Sequence, residues 1–189
     1  MSDLVFDHDC IILDACCVIN LCASYQMESI LESIPAQVVI SDYVKDREVL
    51  VILTGPDDNV FEERESVDLD PFVDKGLISI AALDEEEEAN TFLNFASQLD
   101  DGEAITGAIA VHRDWAIATD DKKATKLFTR EAPKIQVIST PEIVKHWADS
   151  HNPSSETIRA AIKNIHLRGR YFPDKQHPLY NWWQAAENL

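Results

Sequence analysis

The chain has 189 residues, 46% of them hydrophobic, and a formal net charge of −18. That length and content fit one domain with a full core and a tail, and they exclude a disordered chain. No apolar stretch approaches the roughly 20 residues of a membrane helix, and acidic residues 1–9 lack the basic start of a signal peptide, so a cytoplasmic location without membrane partners is expected.

Residues 10–13 are apolar and read as a first strand. Residues 15–33 follow as a single helix, with Val18, Ile19, Leu21, Cys22, Ile30 and Leu31 apolar. Residues 38–40 are a second short strand. Ser41 or Asp42 is placed to cap the next helix, which carries Val44, Glu48, Val49, Ile52 and Leu53. Residues 54–70 hold Gly, Pro and many acids and read as an exposed connection.

A third strand is expected at 77–82. Asp84 then caps a helix opening on Glu85, Glu86, Glu87 and Glu88, acids that favour the positive end of a helix dipole. Asp101 and Gly102 break the chain. A small-residue helix spans 103–112, where Ala104, Gly107, Ala108 and Ala110 permit close packing. A fourth strand at 115–119, a helix at 122–129 and a fifth strand at 135–138 follow. Pro141 opens a helix over 141–150, and the last helix spans 154–167. The stretch from Tyr171 to Trp183 is rich in aromatics and prolines and too irregular for either assignment. It must cover the domain or a second copy of the chain. Strands alternating with helices imply an α/β chain with a mostly parallel sheet of about five strands, covered on both faces.

Cys10, Cys16, Cys17 and Cys22 crowd into the first strand and helix. That pattern suits neither a disulfide framework nor a zinc site, and it reads as buried thiols acting as small hydrophobes. Charge is uneven. Residues 1–120 hold 5 basic and 27 acidic residues, a net −22, and residues 121–189 hold 11 and 7, a net +4. A basic portion carrying Lys122, Lys123, Lys126 and Arg130 is placed to contact phosphates, while the acidic portion holds metal.

Five acids stand out by context. Asp14 ends the first strand, Glu48 sits after the second, Glu103 begins a helix, and Asp120 and Asp121 end the fourth strand. In open α/β sheets the ligand crevice lies beyond the carboxyl ends of the strands. Carboxylates gathered there repel one another, and a divalent cation is the usual resolution. An all-carboxylate set is hard and selects Mg²⁺ or Mn²⁺ over zinc. Such an ion supports in-line attack of water on a phosphodiester. Each acid also has a plainer use: Asp14 and either of Asp120 and Asp121 as helix caps, Glu48 as a solvated face residue, and Glu103 as a dipole partner.

The same residues carry a family resemblance. The run from Ile12 to Leu21 (Ile-Leu-Asp-Ala-Cys-Cys-Val-Ile-Asn-Leu) resembles the opening motif of PIN domains. The segment Val44 to Leu50 resembles their second acidic motif, Gly102-Glu103-Ala104 their Gly-Glu-Ala motif, and Thr119-Asp120-Asp121-Lys122-Lys123-Ala124 their Thr-Asp-Asp motif. The four occur in order over roughly residues 9–148. The resemblance implies a three-layer α/β/α, Rossmann-like fold over residues 1–150 and a Mg²⁺- or Mn²⁺-dependent ribonuclease. Asp14, Glu48, Glu103 and one or both of Asp120 and Asp121 are then its metal-binding catalytic acids, and RNA, single-stranded, its substrate. It also implies a homodimer and, in the toxin branch of the family, an antitoxin partner. Two departures stand out: Cys16 replaces the usual small polar Ser or Asn, and the spacing around Glu48 is one residue looser. The long acidic connection and residues 151–189 lie outside the common core.

Other enzyme classes fit less well. A haloacid-dehalogenase-like site needs a second Asp where Cys16 stands. A receiver domain needs an acid pair before its strand-end Asp and a late Lys. No Gly-rich phosphate loop and no Ser/His or Cys/His pairing is evident. The competing reading is a PIN fold serving as an RNA- or protein-binding regulatory module with weak or no catalysis.

Overall fold

Ile11, Ile12 and Leu13 are all fully buried, so β1 (Cys10–Leu13) has core on both faces. Such a strand belongs in the middle of a parallel sheet. In the computed structural model, which describes residues 4–55 and 63–188, β1 is the central strand. It pairs in parallel with β2 (Gln37–Ser41) on one side. The sheet order is β5-β2-β1-β6-β7, every pair parallel. The segment β3 (Val51–Thr54) forms a separate antiparallel pair with β4 (Glu63–Ser66). β5 is Ser79–Ala81, β6 is Ala116–Ala118 and β7 is Val137–Ile138.

Alternation along each strand sends side chains to two different cores. Ile11, Leu13, Val38 and Ile40 pack with α1 (Ala15–Ala23), α2 (Met27–Ser33), α8 (Thr140–His151), α9 (Ser155–Arg168) and α10 (Tyr180–Glu187). Ile12, Val39 and Ile117 pack with α5 (Glu86–Ala96), α6 (Asp101–Arg113) and α7 (Lys122–Glu131). The result is the expected three-layer α/β/α arrangement. Two short helices complete the set, α3 (Asp42–Asp46) and α4 (Asp70–Asp74). Among the described residues, no helix is long and apolar enough to cross a membrane.

The chain leaves β1 toward β2 and β5, and returns on its other side with β6 and β7. The boundary between β1 and β6 is therefore the topological switch point, where a crevice opens beyond the strand ends. Leu13 pairs with Ala118, so Asp14 and Thr119 emerge there side by side.

Several elements differ from the sequence expectation. The helix expected over 15–33 is two helices, broken at Tyr25, whose φ is +56°. Ser24 explains the break: its hydroxyl donates to the Leu21 carbonyl and accepts from the Gln26 N–H, competing with the helical ladder. The helix expected through Leu53 stops at Asp46. Val51–Thr54, mostly β-branched, pairs as a strand instead. Part of the expected exposed connection is the partner strand β4, and its residues 56–62 lie outside the described residues. The helix after the third strand is capped at Glu85, not Asp84. The irregular tail contains α10, whose Trp183 is fully buried in the same core as α1 and α9.

The run Glu85 to Glu88 has a structural member. Glu88 is 1% exposed and takes two bonds from Arg113, Nε to Oε1 at 2.7 Å and Nη2 to Oε2 at 3.0 Å. The Arg113 guanidinium holds its carboxyl below the usual glutamate value. That pair ties α5 to α6.

Candidate acidic site at the switch point

Asp14 is placed by the end of β1 and fixed by three bonds. Its Oδ1 accepts from the Ala15 N–H at 2.8 Å, capping α1. Its Oδ2 accepts from the Thr119 hydroxyl at 3.1 Å and the Cys16 thiol at 3.0 Å. Only 4% of Asp14 is exposed, and burial raises its pKa despite these donors. Cys16 thus supplies one of the three hydrogen bonds that fix Asp14.

Glu103 and Asp100 begin α6 as a capping box. Asp100 Oδ1 accepts from the Glu103 N–H at 2.8 Å, and Glu103 Oε2 faces the Asp100 N–H at 3.4 Å. Glu48, in the segment between α3 and β3, lies over this helix start. A Cβ added to Gly102 would meet its Oε1 at 2.5 Å, with Asp100 Oδ1 3.5 Å away. The glycine leaves the space that Glu48 fills.

These acids act on one another. Burial raises Glu103 to about 7, with the charges of Asp100, Asp121 and Asp14 adding to it. Burial also raises Glu48, helped by Asp100, Asp14 and Asp101. The ion pairs nearby serve other carboxylates: Lys45 with Asp70 and Lys122 with Asp174. Asp14, Glu48, Asp100, Glu103 and Asp121 therefore form one negatively charged cluster.

Asp120 and Asp121 separate in space. Asp121 caps α7, its Oδ1 accepting from Lys123 N–H at 2.7 Å and Ala124 N–H at 2.8 Å, and its charge acts on Glu103. Asp120 turns the opposite way. Its Oδ1 accepts from the Thr140 N–H at 2.9 Å, and its Oδ2 from Asn20 Nδ2 at 2.9 Å and the Thr140 hydroxyl. The Cys17 thiol approaches the same Oδ2 at 3.6 Å. Asp120 joins β6 to α1 and α8, while Asp121 faces the acids.

Sequence reading missed Asp100, Asn20, Thr119 and Thr140. The Asp-x-x-Glu spacing of Asp100 and Glu103 was an available signal. Nothing in the sequence brings Asn20 or Thr140 to Asp120, from which they are 100 and 20 residues distant.

Metal-holding geometry appears where it was not expected. Among the described residues, Cys16 Sγ, Cys17 Sγ and a carboxylate oxygen of Asp120 lie within 4.8 Å of one another, close enough to hold a metal ion. The thiols read as simple hydrophobes therefore face a carboxylate. No three of the acids approach one another as closely among the described residues.

Lys122, Lys126 and Arg130 recur every four residues along α7 and form one exposed row, with Lys123 beside it. Lys122 bonds Asp174 at 2.6 Å, and Arg130 bonds Glu131 at 2.8 Å and Gln98 at 3.3 Å. Lys122 and Lys126 line a cavity of about 760 Å³ between α7, the start of α8 and residues 171–178, which reaches Thr119 and Asp120.

One apparent nucleophile is excluded by its hydrogen bonds. Ser139 Oγ lies 3.0 Å from His177 Nε2 and 2.6 Å from Glu142 Oε2. The Leu179 N–H donates to His177 Nδ1 at 3.1 Å, so Nε2 carries the proton and donates to Ser139. His177 is then no base for Ser139. No protein-family model matches the chain, and no curated protein matches it.

Proposed function

We propose that the acidic cluster is the site of a Mg²⁺- or Mn²⁺-dependent ribonuclease of the PIN type. The observation that carries this reading is the raised Glu103, near 7, among Asp14, Glu48, Asp100 and Asp121 at the switch point. Burial is the larger cause of that rise and the charges of Asp100, Asp121 and Asp14 the smaller, and a bound cation would offset both. The donors are all carboxylates, which fits a hard ion. Asp14, Glu48, Glu103 and Asp121 would hold it. A bound Mg²⁺ or Mn²⁺ supplies Lewis acidity at a phosphoryl oxygen and lowers the pKa of water.

The residues of the chain supply the rest. Thr119 and Cys16 hold the Asp14 carboxylate at the strand end, leaving its direction set before any ligand arrives. Asp100 orients Glu103 through the capping box. Asp120, bound to Asn20 and Thr140, fixes the turn that presents Asp121. Lys122, Lys123, Lys126 and Arg130 would meet RNA phosphates along α7, offsetting the −18 net charge. Asp174 must yield Lys122 for that contact.

The test is incubation of purified protein with single-stranded RNA and Mg²⁺ or Mn²⁺, beside Asp14→Asn and Asp121→Asn. Cleavage that needs the ion and falls at least about a hundredfold in both variants is expected. Equal cleavage by all three proteins would mark a contaminant.

A further inference from the structure

Cys16, Cys17 and Asp120 are not part of the acid cluster, yet they converge from two elements. The two thiols come from the first turn of α1 and the carboxylate from the end of β6. Each thiol now spends its proton on a carboxylate: Cys16 donates to Asp14 at 3.0 Å and Cys17 to Asp120 at 3.6 Å. A cation placed among the three atoms would replace both protons. The hydroxyls of Thr119 and Thr140 stand 3.7 Å from Cys16 Sγ and 3.5 Å from Cys17 Sγ, so the surroundings are polar.

We propose that Cys16, Cys17 and Asp120 form a second metal site, selective for a thiophilic divalent ion such as Zn²⁺ or Cd²⁺. Thiolates are soft donors, and they prefer such ions to Mg²⁺ or Mn²⁺. The geometry needs little change. A tetrahedral ion with Zn–S bonds of about 2.3 Å sets its donors about 3.8 Å apart, so the trio contracts by an ångström at most. The carboxylate side of the trio borders open space, because Asp120 and Thr119 line the cavity beside α7.

Binding balances as an exchange: two metal–sulfur bonds form, two S–H bonds break, and two protons pass to solvent. At Asp120 Oδ2 the ion takes the place of the Cys17 contact and of one of the two other donors, Asn20 Nδ2 or the Thr140 hydroxyl, while Oδ1 keeps the Thr140 N–H. Cys16 at the same time leaves Asp14, which couples the new site to the acid cluster.

The test uses reduced, metal-free full-length protein without RNA, titrated with Cd²⁺. One equivalent should raise a cadmium–thiolate charge-transfer band and release about two protons per ion into weak buffer. Excess Mn²⁺ should leave the band unchanged. Cys16→Ala should weaken binding by at least about tenfold, and a Cys10→Ser, Cys22→Ala double variant should keep it. No band at one equivalent, no proton release, or a band that depends on Cys10 or Cys22 would overturn the proposal. Proton release by the unmutated protein decides the matter even where Cys16→Ala fails to fold. These readouts need no cleavage, so they stand apart from the ribonuclease reading.

Discussion

Glu103 is asked to do two things at once. It closes the capping box of α6, and its carboxylate sits among four other acids. An unfolded glutamate titrates near 4.5, whereas folded Glu103 titrates at about 7. Between those values the folded chain binds more protons than the unfolded one, so stability falls as pH rises from about 4.5 to about 7. Glu103→Gln keeps the capping oxygen and removes the charge. In metal-free buffer it should be more stable than the parent above pH 7 by about 1–2 kcal/mol, a figure reduced for the side chain's partial exposure. The two should converge below pH 4.5. Urea denaturation at pH 4.5 and pH 8 checks this, and a variant no more stable than the parent at pH 8 would show that the charge of Glu103 carries no such cost. Asp14 shows the same double duty, as cap of α1 and member of the cluster. The plain structural use of each acid and its proposed chemical use therefore coexist.

At the scale of elements, α6 is positioned by two glycines with different neighbours. A Cβ on Gly107 would meet Phe128 Cε1 at 2.3 Å, and Phe128 is 1% exposed in the core between α6 and α7. Gly107→Ala should cost about 1–3 kcal/mol by overpacking. A Cβ on Gly102 would press on the end of the Glu48 side chain, with Asp100 Oδ1 at ordinary contact distance. Gly102→Ala should shift the unfolding free energy by less than about 1 kcal/mol and weaken Mn²⁺ binding roughly tenfold. Calorimetric Mn²⁺ titration of both variants separates the two effects. If Gly102→Ala bound Mn²⁺ as the parent does, Glu48 would stand outside the site. β1 and β6 were legible in the sequence because each is an apolar run stopped by Asp or Thr-Asp. The end of α3 was not, because Val49, Ile52 and Leu53 recur at the three- and four-residue spacing of a helix face. What makes Val51–Thr54 a strand is the pairing with β4 across the chain. The break at Tyr25 was hidden as well, since it depends on a serine hydroxyl and not on Gly or Pro.

Over the whole molecule, the acids at the two strand tips were readable because each ends an apolar run, whereas the adjacency of β1 and β6 was not, because alternating strands and helices imply a parallel sheet and not its order. Which of Asp120 and Asp121 turns toward Glu103 was not, because it is settled by Asn20 and Thr140 from other elements. The tail belongs to the same body. Trp183 is fully buried against the α1 side of the sheet, and Tyr171 faces Asp120, with burial and that charge raising its hydroxyl pKa. Removing one such Trp costs about 3–5 kcal/mol, a large share of a typical domain's stability. Truncation after Arg170 should therefore lower the unfolding midpoint and the solubility, and an unchanged, monodisperse product would show the tail to be dispensable.

The proposed ribonuclease would use water, activated at the carboxylate cluster, to attack RNA phosphodiesters. Its most direct test is the chemistry of the cleaved ends in oxygen-18-labelled water with Mn²⁺. Expected are label in the product phosphate, no cyclic phosphate, and loss of both cleavage and label in Asp14→Asn. Cyclic phosphate ends, which form when the RNA's own 2′-hydroxyl attacks, or unlabelled products would contradict it.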